Sequence, residues 1–438
     1  MPHRLHHRRR KGALGLAELI AIGVGGMIGG GIFSILGLGA KIAGEGVVAA
    51  LALGGVVAFF AGYSYVKLAA SFPTDGASYT YVSRAWPERL GLGAITGWTV
   101  ILGYVGTLGL YAFTFGAYGS ELVGFAGSYG MRLVLSAAVL LLFLAINLAG
   151  ARMTGTAEDL VVYAKILILA IFAIAGLVAT RGTGGIQALG EGAGSILMAG
   201  ALIFVAYEGF QLITNAVQET DDPQRNVPRG VYGSIAVVTV IYVALAYVAV
   251  TAFSVNDLVA AEEYALAAVA QPVLGAAGGI LVSLAALLAT SSAVNSTVFG
   301  ASRMMAEMGE EGTMPQKLAL RNQNHVPWIA VVSMIALGLA LTLLGSLEVI
   351  ASFSSMTFLL VSFAVSAANL RLRHRTEAKA WVVAIGMMLM AATIALLVTY
   401  LATNDPTTLA WVGAMYLFSF VAQRVYAAFS TPRVRQVT

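Results

Sequence analysis

Apolar stretches of about 20 residues, separated by short polar or charged breaks, run along the whole chain. A bilayer core about 30 Å thick is crossed by a helix of about 20 residues. The pattern therefore predicts an all-α membrane protein with about twelve transmembrane helices. These spans are expected at 15–43, 46–71, 91–119, 131–149, 157–180, 195–218, 230–254, 273–300, 327–345, 347–370, 380–401 and 407–428. Between spans two and three, the polar and aromatic segment SFPTDGASYTYVSRAWPERL predicts an interfacial helix.

The composition supports this interpretation and excludes several kinds of chemistry. Of the 438 residues, 59% are hydrophobic and only 11% are charged, whereas ordinary soluble domains carry about 25% charged residues. The chain has no cysteine, which excludes disulfides, thiolate catalysis and cysteine metal sites. No metal and no cofactor are expected. No HExxH or GxSxG motif occurs with suitable partners, so an intramembrane enzyme is not favoured, and the net charge of +4 calls for no nucleic-acid partner.

The distribution of basic residues predicts the orientation of the spans. Lysine and arginine are retained on the cytoplasmic side of membrane proteins. With the amino terminus inside, 21 of the 25 basic residues fall in inner segments, including the tail MPHRLHHRRRKG. Only Lys41, Arg132 and Arg181 fall in outer segments, and Lys165 lies inside span five. We therefore expect a multi-pass protein of the cell (inner) membrane with both termini cytoplasmic.

The first span contains the sequence GVGGMIGGGIFSILG, with five glycines between Gly25 and Gly31. Each glycine costs about 1 kcal/mol relative to alanine in a helix interior. One interpretation is an interruption of the helix that faces the protein interior, where freed N–H groups and a helix dipole suit a carboxylate. The alternative is close packing of helices through the pairs Gly25/Gly29 and Gly26/Gly30. Span one by itself does not decide between them.

The sixth span carries polar residues near its middle, in IFVAYEGFQLITNAVQET. A carboxylate at this depth costs at least about 2.5 kcal/mol and usually faces a cavity or a partner. Two interrupted segments five helices apart are typical of secondary transporters built from two inverted repeats. This second feature favours the interpretation of span one as an interrupted helix.

Three blocks of the chain resemble the amino acid–polyamine–organocation (APC) transporters: GVGGMIGGGIFSILGLGAKIAG, FVAYEGFQLITNAVQETDDPQRNVPRG and SSAVNSTVFGASRMMAEMGEEGTMPQKL. Within that superfamily the chain is most similar to proton-coupled, broad-specificity prokaryotic amino acid transporters. The resemblance implies a LeuT-like 5+5 inverted repeat in which helices 1 and 6 are broken. It divides the chain into a basic tail (1–14), a first repeat (15–180), a second repeat (195–372), two further helices (380–428) and a second tail (429–438).

The resemblance also implies a substrate site between the two broken helices. The free N–H groups of Gly29, Gly30 and Gly31 would bind the substrate carboxylate. This chain has no hydroxyl residue among these glycines, so carboxylate binding would fall on the backbone. The expected amine site is formed by backbone carbonyls near Met27, Val205, Ala206, Tyr207 and Glu208. The expected side-chain walls are Tyr207, Phe210 and Tyr104.

Glu208 has two interpretations. It could pair with a substrate amine, favour a cationic substrate or take up a proton, because burial away from cations disfavours the charged carboxylate. The alternative is a structural brace in which the carboxylate accepts hydrogen bonds from freed backbone N–H groups. Both remain open at this point.

Lys165 lies inside the apolar helix of span five. It could extend along the helix to the inner headgroups. The resemblance implies a different role, in which a lysine on helix five occupies the cation position of sodium-coupled members, next to hydroxyls of helix eight. Here those hydroxyls would be Thr290, Ser291 and Ser292. Because a desolvated lysine gains and loses a proton readily, protonated Lys165 would bind the carbonyls of residues Gly23 to Gly26 and couple transport to a proton.

The sequence therefore predicts secondary active transport of amino acids by alternating access, as a proton symporter. The alternatives are transport of a polyamine or another organic cation, amino acid exchange and, less favoured, a channel. The expected partners are a small-molecule amino acid, a proton and the lipid bilayer; the oligomeric state is left open.

Overall fold

The computed structural model describes residues 14–73, 77–150, 155–181 and 192–429. Apart from one isolated β-bridge, the regular structure of these residues is helical. The first half contains seven α-helices: α1 (Leu16–Met27), α2 (Gly31–Ala43), α3 (Val47–Ser71), α4 (Ala77–Ala85), α5 (Leu90–Leu122), α6 (Tyr129–Leu148) and α7 (Gly155–Ala179).

The second half begins with α8 (Gly192–Leu202), which continues into a 3₁₀ turn at Ile203–Tyr207. After it come the helices α9 (Leu212–Asn215), α10 (Pro223–Ala252), α11 (Val255–Ala260), α12 (Ala265–Leu274), α13 (Ala276–Glu310), α14 (Trp328–Leu344), α15 (Leu347–Arg371), α16 (Arg373–Thr376), α17 (Ala380–Asn404) and α18 (Pro406–Phe429). Among the further short 3₁₀ turns, the one at Glu262–Tyr264 connects α11 and α12.

Most helix ends lie within a few residues of the predicted ends, and two differ for clear reasons. Helix α10 starts at Pro223, seven residues before the predicted start. Proline is well suited to the first helical position, where its missing N–H is not needed. The polar segment after span six therefore forms the first turns of a helix. Helix α13 likewise extends to Glu310 through a polar stretch that hydropathy assigned to a loop. The segment predicted to form an interfacial helix contains α4, and its position at the membrane interface stays a prediction.

The protein is an integral membrane protein. Among the described residues, nine helical stretches are long and apolar enough to cross a bilayer, one of them covering α2 and α3 together. Two further apolar helices, α1 and α14, are shorter. The expected total of twelve spans remains a prediction.

Charged residues from distant parts of the chain meet at the carboxyl end of α2. Lys41 pairs with Glu262 at 3.7 Å and with Glu348 at 3.6 Å, and Arg132 pairs with Glu263. These residues line a cavity of about 550 Å³ that we call the Lys41 cavity. All five belong to segments that the charge pattern assigned to the same side of the membrane.

The start of α1 is bound to the segment before α10. Leu14 N donates to the Glu219 carbonyl oxygen at 2.8 Å, and Asp221 N donates to the Leu14 carbonyl oxygen at 2.8 Å. These bonds form a parallel β-bridge between Leu14 and Thr220. From there α1 packs against α10 and α7, while α2 packs against α8 and the Glu262–Tyr264 turn. The α1–α2 segment therefore runs through the core of the protein, which is where its interruption lies.

Candidate substrate and coupling site

The first interruption separates α1 from α2. Helix α1 ends at Met27, and Ile28 N still donates to the Val24 carbonyl oxygen at 2.8 Å. Gly30 then caps the start of α2, whose first residue is Gly31. Because the first N–H groups and last carbonyls of a helix have no partner within it, the interruption leaves backbone donors and acceptors next to each other in the core.

The second interruption separates α8 and its 3₁₀ turn from α9. Glu208 has an extended backbone (φ −67°, ψ 132°), and Gly209 adopts φ 134°. Helical structure resumes at Leu212. The φ of Gly209 lies in a region that side-chain-bearing residues rarely adopt. The glycine therefore allows the chain to leave the helix at this point.

The two interruptions pack directly on each other. A Cβ atom on Gly209 would overlap the Gly26 carbonyl carbon and the Met27 nitrogen. A Cβ on Gly31 would lie 2.8 Å from Ala206 Cα. The backbone of one interruption thus contacts the backbone of the other, which only glycine permits at these positions.

The other glycines of the first interruption contact neighbouring helices. Gly29 and Gly30 lie against Tyr111 of α5, at 2.8 Å and 2.9 Å from the positions their Cβ atoms would occupy. Gly25 lies against Val162 of α7, and Gly23 against Ser234 of α10. Both interpretations of the glycine cluster therefore apply, since the helix is interrupted and its glycines also allow close packing.

Lys165 lies fully buried on α7 and contacts the end of α1. Its Nζ donates to the Gly25 carbonyl oxygen at 2.9 Å and to the Ile28 carbonyl oxygen at 2.6 Å. The lysine therefore bonds to the protein core at the first interruption, and does not extend towards headgroups. One of its acceptors lies in the Gly23–Gly26 range expected from the sequence, and the other lies just beyond α1.

The other residues expected in the coupling site have different surroundings. The Thr290 hydroxyl donates to the Ala286 carbonyl oxygen of its own helix at 2.7 Å. Ser291 is half-buried and Ser292 is buried on α13, which packs against α7. Gly23 faces α10. Their part in coupling stays a prediction.

Glu208 is buried, with 4% of its surface exposed. Its carboxylate accepts a hydrogen bond from the Gln211 side-chain amide. The Gln211 Oε1 in turn accepts from the backbone N–H of Gly209 at 3.0 Å. The connection from the carboxylate to a backbone N–H therefore runs through a glutamine, where the brace interpretation expected a direct bond, and the role of Glu208 stays a prediction. No ion pair among the described residues includes Glu208.

The three expected aromatic walls point in different directions. The Tyr207 hydroxyl donates to the Leu51 carbonyl oxygen of α3 at 2.6 Å. Phe210 packs edge-on against Tyr65 with ring centroids 5.6 Å apart. Tyr104 packs edge-on against Phe358 of α15, with ring centroids 6.1 Å apart. The structure thus brings Met27, the glycines, Ala206 and Lys165 together at the interruptions, while the Tyr207 side chain is directed to α3.

Two side chains at the interruptions were not expected from the sequence. Tyr242 of α10 is fully buried, and its hydroxyl lies 2.8 Å from the Met27 carbonyl oxygen and 3.1 Å from the Ala206 carbonyl oxygen. Ser355 of α15 accepts from Val205 N at 2.9 Å and contacts the Leu202 carbonyl oxygen. Each lies in a helix that carries several other polar residues, such as Thr239 in α10 and Ser354 in α15, so the sequence does not distinguish it from its neighbours.

Two partly buried carboxylates outside the predicted spans, those of Glu262 and Glu263, line the Lys41 cavity. Burial raises the pKa of Glu262, with Lys41 opposing the shift and Glu348 adding to it. Burial also raises the pKa of Glu263, against the opposing charge of Arg132. These acids therefore hold protons more tightly than exposed glutamates do.

Comparison with known proteins identifies the family. The chain is 31% identical to the inner membrane transport protein YbaT of Escherichia coli over 419 residues, covering 94% of this chain and 96% of YbaT. It is 27% identical to the serine/threonine exchanger SteT of Bacillus subtilis, covering 85% and 86% of the two chains. It is 26% identical to the branched-chain amino acid permease BcaP of B. subtilis, covering 81% and 80%. The family model for amino acid permeases matches residues 14–432, and the chain therefore belongs to the amino acid permease family of the APC superfamily.

Proposed function

We propose that this permease is a proton-coupled secondary transporter that moves amino acids across the cell membrane by alternating access. The observation that carries the proposal is the buried Lys165, whose Nζ bonds to the carbonyls of Gly25 and Ile28 at the first interruption. A lysine in such a position can exchange a proton while it binds or releases the end of α1. Proton binding would thereby change the position of a helix that forms the substrate site.

The substrate is an α-amino acid bound between the two interruptions. Its carboxylate would accept from the N–H groups of Gly29, Gly30 and Gly31 at the start of α2, where the helix dipole is positive. Its amine would donate to carbonyls of Met27, Val205 and Ala206 at the ends of α1 and the 3₁₀ turn. Family membership and relatives named for serine, threonine and branched-chain amino acids support this substrate class.

We further propose that the chain is organised as two repeats. Residues 15–180 and 195–372 form the two inverted repeats, and each interruption falls within the first span of its repeat. Residues 380–428 add two helices, and the tails 1–14 and 429–438 lie in the cytoplasm. The meeting of Lys41, Arg132 and three glutamates in one cavity supports the proposed order of crossings, because that order places all of them on one side of the membrane.

Uptake into proteoliposomes tests the proposal. Purified protein would be reconstituted with an imposed pH gradient, and uptake of labelled L-serine and L-leucine would be measured. We expect uptake by the wild type to follow the gradient, and Lys165→Met, which keeps the length of the side chain, to abolish that dependence. Lys379→Ala, which removes an exposed lysine at the start of α17, is the control for net charge.

Three results would overturn the proposal. If uptake by Lys165→Met still depends on the pH gradient, Lys165 does not couple transport to the proton. A wild type that shows neither uptake nor counterflow of any of the twenty amino acids removes the substrate class. A unitary conductance in planar bilayers would instead indicate a channel.

A second candidate is transport of a polyamine or another organic cation, and it rests on Glu208. The carboxylate is buried at the second interruption and its described partner is the neutral Gln211. A thermal-shift screen at two pH values, with amino acids, putrescine and spermidine, distinguishes the two. Stabilisation by the amines alone, lost in Glu208→Gln, would favour this candidate over the first.

A further inference from the structure

The segment from the end of α15 to the start of α17 carries a concentrated positive charge. Residues 371–379, which we call the basic turn, contain four arginines or lysines, one histidine and one acid, Glu377. The four permanent cations are all exposed: Arg371, Arg373, Arg375 and Lys379. The charge pattern of the sequence assigns the basic turn to the inner side of the membrane.

Most of this charge is not neutralised by acids of the protein. Arg371 pairs with Glu88, just beyond α4, at 2.7 Å. Within the part of the chain that the structure describes, no ion pair includes Arg373, Arg375 or Lys379. The basic turn therefore presents three cations to an anion from outside the protein.

The backbone of the basic turn is fixed to α3 by polar contacts. Thr376 Oγ1 donates to Asn369 Oδ1 at 2.8 Å, and Asn369 Nδ2 donates to Ser64 Oγ of α3 at 3.3 Å. These three side chains are buried. Lys379 N donates to the Tyr63 hydroxyl, also on α3, at 2.9 Å. Because the turn is attached at two places, a ligand that binds to it has little backbone to order.

Trp381 indicates the depth of the basic turn in the membrane. It is the second residue of α17, and 63% of its surface is exposed. Helix α17 is long and apolar enough to cross a bilayer, and exposed tryptophans at the ends of such helices lie at the level of the lipid headgroups. The adjacent cations are therefore expected at the depth of the lipid phosphate groups.

We propose that the basic turn binds the headgroup of an anionic phospholipid, with the lipid phosphate held by Arg373, Arg375 and Lys379. A guanidinium group binds a phosphate through two parallel N–H bonds, and basic residues next to a membrane helix attract anionic lipids. The partner is a lipid because the cations lie beside an apolar, lipid-facing helix. This site is independent of the substrate that the protein carries.

Quenching of tryptophan fluorescence by brominated lipids tests the proposal. The protein would be reconstituted in vesicles of about three parts phosphatidylcholine to one part phosphatidylglycerol, with bromine in the acyl chains of one lipid or of the other. Subtracting the signal of Trp381→Phe isolates the response of Trp381. We expect Trp381 to show a selectivity for phosphatidylglycerol of roughly five-fold or more, the effect of at least one basic residue at a membrane surface.

Trp411 is the internal control. It lies on α18, close to the turn that follows the far end of α17, and its exposed fraction of 58% is similar to that of Trp381. Its response is isolated in the same way with Trp411→Phe, and we expect it to show no selectivity. Equal selectivity at the two tryptophans would indicate a general attraction of anionic lipid to the protein and overturn the proposal. The absence of selectivity at Trp381 would overturn it as well.

Two double variants separate the basic turn from the net charge of its side of the membrane. Arg373→Gln with Arg375→Gln should abolish the selectivity at Trp381. Arg225→Gln with Arg229→Gln removes the same charge from two exposed arginines at the start of α10, on the side that the charge pattern also assigns as inner, and should leave the selectivity unchanged. All four arginines are exposed, so neither double variant removes a buried side chain. Equal losses in the two double variants would contradict a site at the basic turn.

A measurement on the wild type separates a lipid headgroup from a soluble anion. Replacing chloride by inorganic phosphate at constant ionic strength should leave the selectivity at Trp381 unchanged. Raising the sodium chloride concentration should reduce it, because salt screens exposed charges. Loss of selectivity in phosphate alone would assign the basic turn to a soluble phosphate group, and selectivity that does not respond to salt would exclude a role for the cations. Either result overturns the proposal.

Discussion

At the scale of single residues, the site depends on backbone groups that a continuous helix would use internally. In the core of a membrane protein such groups must find other partners, since each unsatisfied one costs several kcal/mol. Lys165 and Tyr242 provide partners for three carbonyls near the end of α1. The interruptions are therefore stabilised by side chains from α7 and α10, which explains how irregular backbone persists at this depth.

Gly209 is the residue whose substitution tests the packing of the interruptions. Its φ is 134°, and a Cβ would overlap the backbone of Gly26 and Met27. We expect Gly209→Ala to destabilise the protein by about 2 kcal/mol or more, from backbone strain and overlap together. Thermal denaturation in detergent measures the effect.

Gly413→Ala is the control for this substitution. Gly413 lies in α18, and a Cβ there would meet nothing within 4 Å. Replacement by alanine in an open helical position should be neutral or stabilise by up to about 1 kcal/mol. Similar stabilities of the two variants would contradict the close contact between the interruptions.

At the scale of helices, α15 supports the second interruption through Ser355. The Ser355 hydroxyl accepts from Val205 N and contacts the Leu202 carbonyl oxygen. These groups lie where α8 passes into the 3₁₀ turn and the regular helical bonding changes. A helix distant in sequence thus satisfies backbone atoms next to the expected substrate site.

Ser355→Ala should cost about 1–3 kcal/mol in stability, because it leaves a buried N–H group without its partner. The neighbouring Ser354→Ala is the control, since the Ser354 hydroxyl donates to the Ile350 carbonyl oxygen of its own helix at 2.7 Å. Thermal denaturation compares the two. Equal losses would show that the contact between α15 and the 3₁₀ turn contributes nothing specific.

The Glu262–Tyr264 turn gives the protein a predictable dependence on pH. Burial raises the pKa of Glu262 in the folded protein, so the folded state binds this proton more tightly than the unfolded state does. Its contribution to stability is present below the ordinary glutamate pKa of about 4.3 and is lost as the pH rises through the raised value.

Glu262→Gln should therefore gain thermal stability relative to the wild type as the pH rises from 4 to 8. The variant no longer has a carboxylate to ionise in the Lys41 cavity. Melting temperatures across this range measure the difference, with Glu377→Gln, at an exposed position, as the control for net charge. Parallel curves for Glu262→Gln and the wild type would contradict the prediction.

At the scale of the whole molecule, the α1–α2 segment is attached at both of its ends. The β-bridge between Leu14 and Thr220 attaches the start of α1 to the segment before α10. The ion pairs of Lys41 attach the end of α2 to Glu262 and Glu348. The proposed alternating access would require these attachments to open in turn, so we expect that fixing one of them stops the transport cycle.

The absence of cysteine makes this prediction directly testable. Bridge partners have Cα atoms about 5 Å apart, within the range that a disulfide spans. We expect the double variant Leu14→Cys, Thr220→Cys to lose uptake after oxidation and to recover it after reduction. Each single variant should be insensitive to oxidation. Full uptake by the oxidised, cross-linked double variant would contradict a movement of α1 away from this segment.

The fold and part of the site could be predicted from the sequence because both depend on local composition. Apolar length located most helices within a few residues, and the glycines between Gly25 and Gly31 indicated the first interruption. Lys165 stands out as a lysine within an apolar helix, but the residues alone leave an extension to the headgroups open, and the family resemblance implies its position at the first interruption. Helix α10 starts earlier than predicted because hydropathy measures only how apolar a segment is. It contains no information on the suitability of proline for the first turn of a helix.

The chemistry of individual residues thus determined that the chain spans a membrane. It also determined at which residues two of the helices are weakened, and that a buried lysine needs hydrogen-bond partners. Only the tertiary structure decided which atoms those partners are. Lys165 binds the carbonyls of Gly25 and Ile28, Tyr242 joins Met27 to Ala206, and the Tyr207 side chain turns to α3. The physical reason is that the free energy of transfer from water into the membrane is a sum over residues, so the apolar pattern of the sequence is enough to locate the spans. Hydrogen-bond partners depend instead on the positions of helices far apart in sequence.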